Sequence, residues 1–379
     1  MLWALLFSFP LMAGVQEISA WIGRVTGMGI AGNLRRHYSP WVLHPIVALL
    51  LAANVINLGA DIGAMGIALK LLIGGPALVY SVGFGIVSAI AAVLIPYRQY
   101  SQILKWAALV LLVYVATAFV AHVHWLSALA ATFIPHIFLS SGYMSALMAV
   151  FGTTISPYLF FWQASQEVEE QEAGAGEKPL KRAPAQAPAQ LQAMRAGTYL
   201  GMGFSNFIAF FIMLDAAAVL HAHGQTNIQT ATQAASALRP LAGEAAFLLF
   251  SFGIIGTGLL AIPALAASGA YALAEAFRWP VGLQKRLNEA WGFYTTLCVA
   301  TLLGVALDFS SINPINALFW SAVINGIAAV PIMFLMMLMT ANPKLTGTLR
   351  LPLPQRIVGW AATAVMFAVA VGMIATWGG

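Results

Sequence analysis

The chain has 379 residues, of which 61% are apolar and only 8% are charged, whereas soluble globular proteins carry about 25% charged residues. With a mean hydropathy of +0.85, it cannot supply the polar shell of a soluble domain, which predicts a membrane protein. The pI near 9.4 then reflects Lys and Arg beside lipid headgroups and does not indicate nucleic-acid binding. A single cysteine, Cys298, excludes disulfides within the chain. Walker, HExxH and nucleophile-elbow motifs are absent, which argues against an ATP-driven pump or a membrane protease. We expect no enzymatic activity and no bound cofactor.

Apolar segments long enough to cross a bilayer, at roughly 20 residues each, follow one another along the whole chain. Their length favours helices over strands and predicts an all-α polytopic membrane protein with ten helices. The segments are 1–23, 41–72, 76–96, 102–121, 137–164, 195–221, 241–276, 288–307, 313–341 and 355–378.

Basic residues alternate between the loops that join these segments. Fifteen of the 17 Lys and Arg residues lie in or beside five alternate loops, and the opposite loops hold only Lys70 and Arg239. Because positive charge is retained on the cytoplasmic side, this alternation predicts a multi-pass protein of the inner (plasma) membrane. The predicted cytoplasmic loops are 23–41, 96–102, 164–195, 276–288 and 341–355.

This topology puts both termini outside and starts the chain at the outer surface. No basic residue precedes the first apolar run, so that run does not resemble a signal peptide. We therefore expect that one N-terminal membrane-spanning helix is missing from this chain.

We predict one transmembrane domain over residues 1–379, interrupted by a single long linker. The linker, residues 167–194, is rich in Ala, Pro, Gln and Glu. This composition predicts a disordered cytoplasmic loop, with the acidic run Glu167, Glu169, Glu170 and Glu172 at a solvated helix end.

Three polar residues of the second segment share one helix face. Asn54, Asn57 and Asp61 have i, i+3, i+7 spacing, which places them together at 100° per residue. Ionisable groups within a membrane are expensive and are functional candidates by default. The face either lines a path for protons or cations or supplies hydrogen bonds between helices.

Two more polar residues fall within predicted spans. Asp215 either contributes to the same path or caps a kink in its helix, and Asn325 either faces the interior of the bundle or stabilises packing. The sequence leaves both alternatives open.

The stretch GTTISPYLFF, residues 152–161, interrupts the fifth segment with a proline. Pro157 has no N–H, so it leaves the Thr153 carbonyl without its helical donor, and distortion there frees the Thr154 carbonyl as well. Freed carbonyls within a membrane occur where protein or a water-filled cavity satisfies them, and broken helices bind ions in many transporters. The Thr153 carbonyl and the Ser156 hydroxyl would be hard oxygen ligands, suited to Mg²⁺ or Mn²⁺.

Several long motifs make the chain resemble the natural resistance-associated macrophage protein (Nramp) family of proton-coupled divalent-metal transporters. The resemblance extends over nearly the full length and includes LLFSFPLMAGVQEISAWIGRVTGMGIAGNLRRH, AANVINLGADIGAMGIAL, FGTTISPYLFFWQASQEVEE, LLFSFGIIGTGLLAIPALAASGAYALAEAF and NPINALFWSAVINGIAAVP. It implies a leucine-transporter-like fold with two inverted five-helix repeats and a metal bound between two broken helices. Segment one resembles the family's second helix and segment five its sixth, so the family's first helix has no counterpart here.

The resemblance also implies roles for individual residues. Thr153 and Pro157 match the Ala and Pro of the family's Ala-x-x-Met-Pro-His motif, while Ser156 replaces the Met and Tyr158 replaces the His. Asp61 matches an acidic position linked to proton transfer. Replacing a thioether by a hydroxyl removes a soft ligand, and loss of the His leaves proton coupling open.

The sequence therefore predicts secondary active transport of a divalent metal, Mn²⁺, Mg²⁺ or Fe²⁺, as substrate, with the lipid bilayer and protons as further partners. Thr153 and Ser156 are the predicted ligands, with Thr154 and Asn325 as further ones. Two alternatives remain: a symporter of amino acids or other organic solutes on the same fold, and a truncated homologue that does not transport.

Overall fold

A computed structural model describes residues 1–95, 102, 106, 108–109, 111–120, 123–217, 231–310 and 312–377. The regular secondary structure of these residues is helical throughout. In chain order the helices are α1 Leu2–Thr26, α2 Ile30–His37, α3 Pro40–Ile73, α4 Ala77–Leu94, α5 Leu112–Val120, α6 Trp125–Phe133, α7 Ser141–Thr154, α8 Pro157–Ala173, α9 Ala187–Asp215, α10 Ala231–Phe277, α11 Trp291–Leu307, α12 Pro314–Ala341, α13 Pro343–Thr346 and α14 Leu353–Thr376.

The helices follow the predicted segments closely. Within the described ranges, eight helices or helix pairs are long and apolar enough to span a membrane, and α11 is apolar but only 17 residues long. The fourth predicted segment, 102–121, lies partly outside the described residues, and α5 is the part that the structure describes. The predicted loop 96–102 lies almost entirely outside them.

Local signals set where the helices begin and end. Helix α3 begins at Ser39-Pro40 and α12 at Asn313-Pro314, where the Ser or Asn side chain accepts a backbone N–H of the first turn. Proline suits the first helical position because its missing N–H would have no partner there. Helix α1 ends at Gly27, whose φ of 66° is the left-handed conformation that favours glycine.

Two helices organise the bundle. Helix α3 packs against α4, α10, α11 and α12, and α1 packs against α8, α9 and α14. Helices α7 and α12 are in close contact at Gly152 and Gly326. A Cβ added at Gly152 would lie 1.9 Å from the Ala322 carbonyl oxygen, so only glycine permits this crossing, as is common where membrane helices associate.

The prediction that residues 167–194 form a disordered loop is wrong. Helix α8 continues to Ala173, a 3₁₀ turn spans Pro184–Gln186, and α9 starts at Ala187. Between them, the backbone N–H groups of Leu180 and Lys181 donate to the carbonyls of Arg24 and Val25, both at 3.0 Å. The polar composition predicts a segment exposed to water, but the backbone of this segment is hydrogen-bonded to the end of α1.

The acidic run is only partly a solvated helix end, because Glu170 and Glu172 are exposed and the other two glutamates are buried. Glu167 and Glu169 are only 5% and 7% exposed. Arg24 of α1 holds Glu167, Glu170 and Glu177 at 2.5, 3.0 and 2.8 Å. A single guanidinium with five donors thus ties α8 and the following loop to α1.

Four of the five loops predicted to be cytoplasmic meet at one end of the bundle. Arg24 reaches carboxylates on α8 and in the loop that follows it. The Leu283 N–H donates to Glu169 at 2.7 Å, and the Lys181 ammonium donates to the Lys344 carbonyl. Loops 23–41, 164–195, 276–288 and 341–355 are therefore on the same side, as the distribution of basic residues requires. We call this side the network end.

The crossing of α7 and α12 gives a test of packing. We expect Gly152→Ala to lower the free energy of unfolding by about 1–3 kcal/mol, because the added methyl overpacks the contact. Gly142→Ala on the same helix is the control, since no atom lies within 4 Å of its added Cβ. Thermal unfolding in detergent compares the variants, and equal unfolding temperatures would contradict the described crossing.

Candidate functional site

The helix that contains Pro157 is broken in the middle of its span. Helix α7 ends at Thr154 and α8 begins at Pro157, and the two residues between them, Ile155 and Ser156, are both only 1% exposed. Ser156 has an extended backbone, with φ −93° and ψ 135°. We call residues 155–156 the break.

The break leaves carbonyl oxygens without backbone donors. In the described part of the chain, no backbone N–H reaches the carbonyl of Thr153 or Thr154, although the N–H of Ile155 still donates to Phe151 at 2.7 Å. The Ser156 hydroxyl donates to the Gly152 carbonyl and lies 3.2 Å from the Thr153 carbonyl. One hydroxyl proton cannot serve both carbonyls at once, so the break presents at least one free carbonyl and the hydroxyl lone pairs.

The threonine hydroxyls do not contribute in the same way. Thr153 donates to the Ala149 carbonyl at 2.9 Å, and Thr154 donates to the Val150 carbonyl at 3.1 Å. Both side chains therefore bond to their own helix, as Ser and Thr commonly do within helices. What these residues offer a ligand is their carbonyl oxygens.

Asp61 faces the same region from α3. Its carboxylate is half-buried and close enough to Tyr158, directly after Pro157, to interact with it electrostatically. Among the described residues, Asp61 has no ion-pair partner. A carboxylate without a cation inside a membrane needs water or a bound ion.

The two asparagines on the Asp61 face differ from each other. Asn54 is 1% exposed, and its amide N–H₂ donates to the Leu265 carbonyl at 2.9 Å and the Ser268 hydroxyl at 2.8 Å, both on α10. Asn57 is half-buried, and its amide nitrogen has no partner in the described chain. Asn54 joins two helices, whereas the Asn57 amide nitrogen remains free for water or a ligand.

Asn325 and Asp215 lie in different parts of the bundle. Asn325 is 3% exposed with an unpaired side-chain oxygen, and it adjoins Gly326, which contacts Gly152 just before the break. Asp215, at the end of α9, interacts electrostatically with Tyr114 of α5, and both of its carboxylate oxygens lack described hydrogen-bond partners. The structure thus brings Asn325, and not Asp215, to the end of α7.

Two buried acidic residues are not among the site residues predicted from the sequence. Glu17 is 1% exposed and pairs with Arg195 of α9 at 2.6 Å. Glu275 of α10 accepts the N–H groups of Gly29 at 3.0 Å and Gly32 at 2.8 Å, so it caps the N-terminus of α2. Each lies inside a predicted apolar segment, which was itself the signal for an ionisable group of this kind.

Comparison with known proteins identifies the family. The sequence profile described as "natural resistance-associated macrophage protein-like" (Nramp) matches residues 1–376. The chain belongs to the Nramp family. Members of this family are membrane transporters and not enzymes, so the resemblance recognised in the sequence motifs is confirmed.

Two relatives of this Nramp protein are named "Divalent metal cation transporter MntH". The protein from Klebsiella pneumoniae subsp. pneumoniae is 25% identical over 97% of this chain and 84% of its own length. The protein from Pectobacterium carotovorum subsp. carotovorum is 24% identical over 92% of this chain and 80% of its own length.

Solved structures confirm the expected fold. A manganese transporter of Eremococcus coleocola, in complex with an aromatic bis-isothiourea substituted compound, superposes with a TM-score of 0.75 at 14% identity, covering 99% of this chain and 80% of that one. MhsT in complex with L-phenylalanine gives a TM-score of 0.60 at 13% identity, covering 97% of this chain and 90% of that one. The Nramp chain is an all-α polytopic membrane protein with the leucine-transporter-like fold.

Substitution of Asn54 and Asn57 tests which of the two asparagines joins helices and which is free for water or a ligand. We expect Asn54→Leu to lower the free energy of unfolding by about 0.6–1.7 kcal/mol, because two hydrogen bonds between helices are lost. Asn57→Leu should leave stability unchanged or raise it, since it removes a polar group without a described partner. Thermal unfolding of both purified variants checks this difference, and the reverse order would overturn the two assignments.

Proposed function

We propose that this Nramp chain carries a divalent metal cation across the membrane and that the cation binds at the break. The observation that carries this proposal is a buried, non-helical step in the backbone that offers the Thr153 carbonyl and the Ser156 hydroxyl without backbone competition. Two relatives are named divalent metal cation transporters, and a structural neighbour is a manganese transporter.

The donor atoms at the break are all oxygens. The Ser156 hydroxyl gives its proton to a helix carbonyl, so its lone pairs can face a cation. The Thr154 carbonyl and the Asn325 amide oxygen are two further donors within the same region. Oxygen donors favour hard ions, so Mn²⁺ and Mg²⁺ are the leading substrates, followed by Fe²⁺.

Asp61 supplies negative charge beside the break in this proposal. Its carboxylate has no described ion pair, so it can hold a proton when the cation is absent and release it when the cation binds. Asn57 continues the path along α3. Asn54 contributes only its free oxygen, and Asp215 adds charge farther along the bundle.

The proposed orientation places the network end in the cytoplasm. Fifteen of the 17 basic residues fall in or beside the five loops predicted there, four of which share the network end. Positive charge is retained on the cytoplasmic side of inner membranes, so we assign the protein to that membrane.

Substitution of Ser156 tests the site. In proteoliposomes that contain the full chain, we expect saturable Mn²⁺ and Mg²⁺ uptake, reduced by about tenfold or more in Ser156→Ala because a coordinating oxygen is lost. Ser156→Cys should instead raise Cd²⁺ uptake relative to Mg²⁺, because thiolate is a soft ligand. Ser145→Ala is the control, a buried serine earlier on α7.

The same uptake assay also distinguishes the alternatives to this proposal. Unchanged uptake in Ser156→Ala would reject the break as the site. Uptake of L-phenylalanine without metal uptake would indicate an amino-acid symporter on the same fold. No uptake of any solute would indicate a homologue that does not transport.

Proton coupling is tested separately at Asp61. An inward proton gradient should stimulate metal uptake, and Asp61→Asn should abolish the stimulation because the amide cannot titrate. Asp308→Asn is the matched control. Asp308 directly follows α11 and lies against Gly63 of α3, the helix that contains Asp61, but it is not the carboxylate that interacts with Tyr158. Equal stimulation in Asp61→Asn and the unmodified protein would exclude Asp61 from coupling.

A further inference from the structure

A polar cavity of about 380 Å³ lies at the network end, between α1, α8 and α9. It is separate from the break. The polar lining on α8 begins at Gln163, which lies about 10 Å beyond Ser156 along the helix axis, since each residue advances about 1.5 Å. The polar lining consists of Gln16, Arg24, Gln163, Glu167, Glu170 and Thr198, together with Gln166.

Two buried polar atoms of this lining have no partner. Gln16 is 3% exposed and Thr198 is 6% exposed, yet the Gln16 side-chain oxygen and the Thr198 hydroxyl make no hydrogen bond within the described chain. The Gln16 amide cannot turn to hide its oxygen, because its nitrogen donates to the Leu159 carbonyl and the Gln163 oxygen, both at 3.1 Å. Unpaired buried polar atoms are rare in native proteins and indicate a missing ligand or water.

The charge around the cavity is unbalanced. Glu167, Glu170 and Glu177 share the single guanidinium of Arg24, and no second cation pairs with any of them in the described part of the chain. Three carboxylates therefore share one guanidinium, and Glu167 and Glu170 line the cavity itself. A divalent cation would complement this excess.

The lining suits an ion that keeps its water. Among the described residues, no group of three His, Cys, Asp or Glu side chains is placed to hold a bare metal. Six waters occupy about 180 Å³ at about 30 Å³ each, which fits the cavity, and Mg²⁺ in particular retains its waters. Water bound to the ion would donate to the Gln16 oxygen, the Thr198 hydroxyl and the two carboxylates.

We propose that this cavity binds a hydrated divalent cation, as a second site on the cytoplasmic side of the break. The choice of a divalent ion rests on the proposed function, whereas the outer-sphere mode of binding rests on the cavity alone. Such a site would hold the ion after it leaves the break and before it reaches the cytoplasm.

Hexamminecobalt(III) is the probe that tests this mode, because its ammine ligands do not exchange and it binds only through its outer sphere. Equilibrium dialysis with the full chain in neutral detergent should show one bound cobalt that Mg²⁺ displaces. Thr198→Val, which is nearly isosteric, and Glu170→Gln, at a side chain 65% exposed, should each weaken binding by about fivefold or more, as expected for a lost hydrogen bond or charge. Glu172→Gln, on the exposed end of α8, and Ser156→Ala should bind as the unmodified chain does.

Three results would overturn the proposal: no cobalt binding, equal binding by Thr198→Val and the unmodified chain, or an equal loss in Glu172→Gln, which would indicate an acidic surface. None of them bears on the break, because the probe cannot coordinate carbonyl or hydroxyl oxygens directly. Metal uptake in the Ser156 variants judges the proposed function independently.

Discussion

The structure depends on a backbone break that must be stabilised where water is scarce. Unpaired carbonyls within a membrane are tolerated only when protein or a lined cavity surrounds them. Helix α1 stabilises the position of α8. Ser19 of α1 donates to the Phe160 carbonyl at 2.5 Å, and Arg24 pairs with Glu167. Helix α12 fixes the position of α7 through the close contact at Gly152. With both halves fixed, the carbonyls between them remain available to a ligand.

Charge and polarity follow the same division. Near the break, Asp61 has no ion pair among the described residues. At the network end, Arg24 and Glu17 form ion pairs, and Glu275 accepts hydrogen bonds from backbone N–H groups. Ion pairs there join α1 to α8 and α9, and hydrogen bonds to Glu275 join α10 to α2. The unpaired atoms, on α3, at the break and in the cavity, are therefore the places where an ion can act.

Much of the architecture could be predicted from sequence, because span length and proline chemistry are local properties. The helix bounds and the position of the break follow from apolar runs and from Pro157, and long motifs indicated the family. The order of residues 167–194 and the burial of Glu17 could not be predicted in this way. Both depend on partners distant in sequence, such as Arg24 and Arg195. Composition shows that a residue is polar but not whether the fold provides its counterpart.

The most direct test of the central claim is anomalous diffraction at the manganese edge from crystals of the full chain soaked in Mn²⁺. We expect a peak beside residues 155–156, within coordination distance of the Thr153 carbonyl and the Ser156 hydroxyl, surrounded by oxygen atoms only. Manganese peaks elsewhere in the protein with none at the break would contradict it.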